Sequence, residues 1–154
     1  MIIQGKAIYS GSPCHALDDK NRVTIPAAWR SAHPEGAQFL AIPQNGGIMV
    51  LSPPKVSRIM DEIDKVPASN DEAQRALQRF FADSLTFSFD KQGRMPLTEA
   101  HRKYAGIRDE VVLAGAGANF VIYSPAAWAG VKGAGAQQPE QARRDRKILS
   151  AFGI

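Results

Sequence analysis

"DDKNRVTIPAAWR" (Asp18–Arg30) and "DKQGRMPLTEAHR" (Asp90–Arg102) are nearly the same phrase written twice. Each opens on Asp and turns, then sets an Arg four positions after that Asp. A brief apolar run follows, and then a short helical stretch closing on a second Arg. The offset is 72 residues, and it holds without a gap to Ser52-Pro53 and Ser124-Pro125. Asp18/Asp90, Arg22/Arg94, Ala28/Ala100, Arg30/Arg102, Ser52/Ser124 and Pro53/Pro125 are the identical pairs. The apolar runs keep the same register: "FLAI" from Phe39 faces "VVLA" from Val111, and "IMVL" from Ile48 faces "FVIY" from Phe120. Two copies are too few for a solenoid, so the pattern predicts a pseudo-two-fold domain.

Each copy reads as strand, tight turn, strand, short helix and hairpin. "LTFSF" (Leu85–Phe89) alternates as a half-buried strand does. Gly93 supplies the left-handed backbone such a turn needs, and its counterpart Asn21 is among the non-glycine residues that tolerate it. Asp18 and Asp90 are expected to shape the turns by accepting backbone hydrogen bonds. Thr98 caps a helix from Glu99 to Ala105 that Gly106 closes. Two more helices are expected between the copies. One starts at Ser52-Pro53 with Val56, Ile59, Met60 and Ile63 on one face; the other follows Ser69, whose spacing to Glu72 suits a capping box. After Trp128, "AGVKGAGAQQP" reads as a flexible linker, and "EQARRDRKILSAF" as a terminal helix or basic tail.

Across the 154 residues, 44% are hydrophobic and 22% charged, a globular balance. No apolar run is long enough to span a bilayer, and "MIIQGKAIYSG" lacks the layout of a signal peptide, so a cytoplasmic location is expected. The lone Cys14 excludes a disulfide framework or a Cys-based zinc cluster. His15, His33 and His101 lack the spacing of a metal site, and Cys14-His15 adjacency is no catalytic dyad. "GAGAN" lies within a hairpin instead of opening a helix as a phosphate loop does. Neither an enzyme nor a cofactor or metal protein is expected. The net charge of +4 invites an acidic partner, yet most of it sits after Trp128 on Lys132, Arg143, Arg144, Arg146 and Lys147.

The phrases "ALDDKNRVTIPAAWR", "FFADSLTFSFDKQGRMPLTEAHRKYAGI" and "VVLAGAGANFVIYSPAAW" resemble the two halves of the MraZ family, bacterial transcriptional regulators with paired SpoVT-AbrB-like repeats. The resemblance runs from Gly5 to Trp128. It implies an α+β fold, an AbrB-like swapped-hairpin split β-barrel built from two pseudo-symmetric repeats with helices between them. The corresponding division is residues 5–54 for the first repeat, 55–82 for the helices, 83–128 for the second repeat and 129–154 for linker and tail. It also implies a nucleoid-associated, ring-shaped homo-oligomer binding direct repeats in double-stranded DNA. The target would be the promoter of a cell-division and cell-wall gene cluster that includes the protein's own gene, with repression as the outcome. Asp18, Arg22, Asp90 and Arg94 are the positions that carry the motif.

Spacing alone favours a plainer role for these pairs, as ion pairs that stiffen two hairpins. The resemblance turns the expectation toward Arg22 and Arg94 as base readers, since Arg can contact guanine O6 and N7 together. Lys20 and Lys91 would then attract phosphates, and Asn21 and Gln92 would contact a base edge or a phosphate. Arg30, Arg102 and Lys103 are expected to be favourable charges near helix C-termini. Trp29, Tyr123 and Trp128 are expected in the core or at subunit contacts. The competing functional class is an AbrB-like protein-interaction module, an antitoxin or scaffold, whose repeats serve assembly.

Overall fold

The two copies meet first at their shortest strands. In the computed structural model, which describes residues 2–3 and 6–154, β4 (Arg22–Thr24) pairs antiparallel with β8 (Arg94–Pro96). The register sets Val23 opposite Met95, its own counterpart 72 residues on, so the pseudo-two-fold axis passes between them. Both side chains are fully buried. Two reciprocal backbone bonds flank the pair: Ile25 N–H donates to Gly93 O at 2.9 Å, and Leu97 N–H to Asn21 O at 3.1 Å. A slip of one residue would turn Val23 and Met95 outward, so this register is strongly specified.

The main sheet obeys the same axis. Its six strands run in the order β3 (Cys14–Ala16), β9 (Glu110–Gly115), β10 (Asn119–Tyr123), β6 (Gly47–Leu51), β5 (Phe39–Gln44) and β7 (Leu85–Phe87). At its centre β6 and β10 pair with Met49 opposite its counterpart Val121. Toward the edges each copy's first strand pairs with the other copy's hairpin: β3 with β9, and β7 with β5. Neither half therefore completes its sheet alone. The sheet is antiparallel and does not close on itself, with β3 and β7 at its edges. A further two-stranded ladder joins β1 (Ile2–Ile3) to β2 (Lys6–Ala7), and Gly5, the expected start of the first repeat, lies outside the described residues.

Helix α1 (Ala27–Arg30) follows β4, and α4 (Glu99–Ala105) follows β8. Their lengths differ for a chemical reason. Thr98 caps α4 by accepting from His101 N–H, and Gly106 closes it at φ 66°, whereas Pro26 at the matching position offers no side-chain cap. The core between copies holds Tyr9, Trp29, Phe39, Phe87 and Phe120 among the buried aliphatic residues. Phe120 touches Tyr9 and Trp29 with ring centroids 5.4 and 5.0 Å apart.

Helices α2 (Pro53–Asp64) and α3 (Asp71–Ala82) link the copies. Val56, Ile59 and Phe81 pack on a second small cluster of Leu40, Ile42 and Leu51, while Met60 and Phe80 stay exposed. Ser52 precedes α2 but its hydroxyl points to Ala118 O, and Asn70 rather than Ser69 caps α3 by accepting from Ala73 N–H. The carboxamide one residue later reaches the orphan amide, which the Ser69–Glu72 spacing did not anticipate.

The C-terminal segment departs from the flexible linker expected there. α5 (Pro125–Gln137) runs through "AGVKGAGAQ", and α6 (Pro139–Ser150) packs back against it. Five alanines between Ala126 and Ala136 favour helix strongly enough to carry three glycines, Ser124 caps the start, and no proline intervenes before Pro139. Among the described residues no helix is long and apolar enough to cross a membrane.

Candidate nucleic-acid interface

Each turn is organised by one carboxylate. Asp18 Oδ1 accepts from the backbone N–H of Lys20 at 3.0 Å and of Arg22 at 2.8 Å, while its Oδ2 accepts from Arg22 Nε at 2.8 Å. Asp90 repeats this with Gln92 N–H at 3.0 Å, Arg94 N–H at 2.9 Å and Arg94 Nε at 2.8 Å. The backbone closes each loop in parallel: Asn21 N–H donates to Asp18 O, and Gly93 N–H to Asp90 O. The left-handed residues are the expected ones, Asn21 at φ 58° and Gly93 at φ 76°. Partial desolvation pushes both carboxyls up, but the amides and guanidinium of the facing arginine outweigh it and hold them below the usual carboxylate range.

The two turns touch. Arg94 Nη1 reaches Asp18 Oδ2 at 3.5 Å, so Asp18 faces both signature arginines. Arg94 also donates from Nη2 to Gln92 Oε1 at 3.2 Å. Lys20, Lys91 and Gln92 are exposed around this pair, and Asn21 is half-buried. All the residues expected at the interface are thus gathered on one edge, on either side of the β4–β8 axis.

Beneath them Arg30 and Arg102 do more than place charge near helix ends. Both do occupy the last turns of α1 and α4, but each reaches back to the carbonyl one residue past its return strand. Arg30 Nε donates to Ile25 O at 2.8 Å, and Arg102 Nη1 to Leu97 O. Their identity across the copies was the available signal. The Arg30 guanidinium also lies under the second turn: a Cβ on Gly93 would sit 2.3 Å from Arg30 Cζ. A Cβ at position 93 would therefore push the Arg30 guanidinium aside, and glycine also takes the positive φ at no steric cost.

The histidines are scattered. His33 Nε2 meets the Tyr9 hydroxyl at 2.5 Å, and His101 Nε2 donates to Asp83 O at 2.7 Å. Burial pushes the Tyr9 phenol up to about 12 and His33 down. Cys14 is exposed on β3 next to His15. Among the described residues no three His, Cys, Asp or Glu side chains are placed to hold a metal ion. Trp29 is in the core, while Tyr123 stacks on Trp128 at the start of α5.

Fold and site together define an internally duplicated α+β protein that presents two Asp-anchored arginines along a shared edge. A family described as "MraZ protein, putative antitoxin-like" matches residues 80–150. The Transcriptional regulator MraZ of Carboxydothermus hydrogenoformans is 32% identical over 122 residues, covering 79% of this chain and 84% of that relative. The protein of the same name from Roseiflexus castenholzii is 28% identical over 126 residues, 80% and 86% of the two chains. That from Mycobacterium ulcerans is 31% identical over 121 residues, 79% and 84%. The chain belongs to the MraZ family.

Proposed function

We propose that this chain is a DNA-binding transcriptional regulator that recognises direct repeats through its two Asp-x-x-x-Arg turns. The observation that carries the reading is the meeting of those turns: one carboxylate, Asp18, faces both Arg22 and Arg94. That contact brings two guanidinium groups together on one edge, where Lys20 and Lys91 are also exposed, and a DNA groove could receive them. The relatives' shared name supports the regulatory role. The cross-copy pairing of β3 with β9 and β7 with β5 supports an AbrB-like swapped-hairpin arrangement of repeats 5–54 and 83–128.

One such edge has a small footprint, so useful affinity requires several chains engaging repeated sites together. A ring-shaped homo-oligomer meets that need, and the exposed Met60 and Phe80 on the inter-repeat helices are apolar surface available for its contacts. The regulated DNA is the promoter of a cell-division and cell-wall cluster including the chain's own gene, and binding there represses it. The test is a footprint on that upstream DNA, with gel-shift titration against random duplex. Protection of regularly spaced repeats is expected. Equal affinity for both DNAs would overturn the reading, and a monomer by light scattering would remove the ring.

A further inference from the structure

The two signature arginines are equally exposed, with side-chain accessibilities of 27% for Arg22 and 24% for Arg94. Their hydrogen bonding is not equal. Arg94 is engaged at all three nitrogens: Nε with Asp90, Nη1 with Asp18 and Nη2 with Gln92. Arg22 is engaged only at Nε, with Asp18, and among the described residues its Nη1 and Nη2 donate to nothing. At Nη2 the cause lies in the sequence. Gln92 offers a carbonyl oxygen to Arg94, whereas its counterpart 72 residues earlier is Lys20, which cannot accept.

A bidentate contact to guanine needs two N–H groups delivered together, in the plane of the base. Arg22 can deliver them while Asp18 still holds its Nε, so the group is oriented in advance and little is lost on binding. Arg94 keeps one further N–H on each Nη, but three bonds pin the plane of its guanidinium, so it can meet a base only in the direction that Asp90, Asp18 and Gln92 already set. From this geometry we infer that the two copies divide the work: Arg22 is the specificity-determining reader, and Arg94 is a positioning residue that ties the second turn to Asp18. The inference rests on the DNA-binding reading and assigns unequal parts within it.

The test is selection from a pool of randomised duplex DNA by the full chain and by R22K and R94K. Lysine keeps the charge, and with it the phosphate attraction, but removes the bidentate fork. The wild type should enrich a motif containing guanine. R94K should enrich the same motif with affinity reduced several-fold, because the turns are less well held. R22K should lose the motif and bind all duplexes about equally. Thermal melts identify any variant that fails to fold, and Arg22→Gln then repeats the arm. Loss of the motif by R94K as completely as by R22K, or its retention by R22K, overturns the division of roles. A wild-type chain that enriches no motif overturns the DNA-binding reading itself.

Discussion

The first turn spends a lysine where the second spends a glutamine, and it carries Asn21 where the second carries Gly93. Both loops otherwise share every backbone bond that the Asp carboxylate makes. Near the axis the copies remain matched, because each is the other's packing and hydrogen-bonding partner: Val23 against Met95, Ile25 N–H to Gly93 O, Leu97 N–H to Asn21 O. At the exposed positions of the turns no such reciprocity binds the side chains, and there Lys20 stands against Gln92 and Asp19 against Lys91. The backbone pairing at the axis and the Asp-Arg pairs are common to both copies, and the exposed turn positions between each Asp and its Arg are where they differ.

The largest expected effect comes from breaking the matched part. Met95→Ala should cost about 2–5 kcal/mol, as emptying a buried site does. Because β3 and β7 each complete the other copy's sheet, both halves should melt together. Urea unfolding followed by the fluorescence of Trp29 and Trp128 checks this. Two separate transitions would mean that the halves are independent.

A smaller effect separates the turns themselves. Gly93→Ala drives a Cβ into the Arg30 guanidinium at a positive φ, and should cost more than about 1 kcal/mol. Asn21→Gly, at the matching position, should change stability by less than that. Equal melting temperatures for the two variants would argue that the turns are interchangeable.

Acid sharpens the comparison further. Asp18 and Asp90 titrate below the usual range in the folded chain, so their contribution is present above the unfolded carboxyl value and lost as pH falls through the folded one. Asp18→Asn should flatten the acid limb of stability more than Asp90→Asn, since Asp18 faces two arginines. Melting curves taken between neutral and strongly acidic pH decide it, and a larger effect at Asp90 would remove Asp18 from its central place.

The effect confined to the narrowest pH range lies at the basic end, at Tyr9. Its phenol is raised to about 12, so its contribution is intact below the unfolded value of about 10 and is lost as pH rises toward 12. Its partner His33 is depressed, so that contribution is present above the unfolded imidazole value and lost as pH falls through the folded one. Tyr9→Phe should abolish the alkaline limb and leave the turns' acid behaviour intact. An unchanged alkaline limb would show that another group governs it.

Much of this architecture is legible in the sequence. The constant offset exposed the duplication, and the alternation of "LTFSF" and the punctuation at Thr98 and Gly106 placed elements whose bounds the structure repeats or trims slightly. The resemblance implied that hairpins cross between the copies, but the particular partner of β3 was not legible, because a three-residue strand carries too little periodicity to name it. Nor was helix α5, where three glycines masked the alanines around them. At the interface the residue types were readable and their engagement was not. That Gln92 occupies Arg94 while Lys20 leaves Arg22 open depends on side-chain direction.

The pairing of β3 with β9 has a consequence for how the chain is made. A ribosome delivers Cys14–Ala16 long before Glu110–Gly115, so the first edge strand emerges without its partner and must wait. In the first part of that interval, until Leu85–Phe87 emerges, the β5–β6 hairpin also lacks β7. Nascent chains stalled before residue 110 should be open to protease at β3, and protection should arrive in one step once β10 has cleared the exit tunnel.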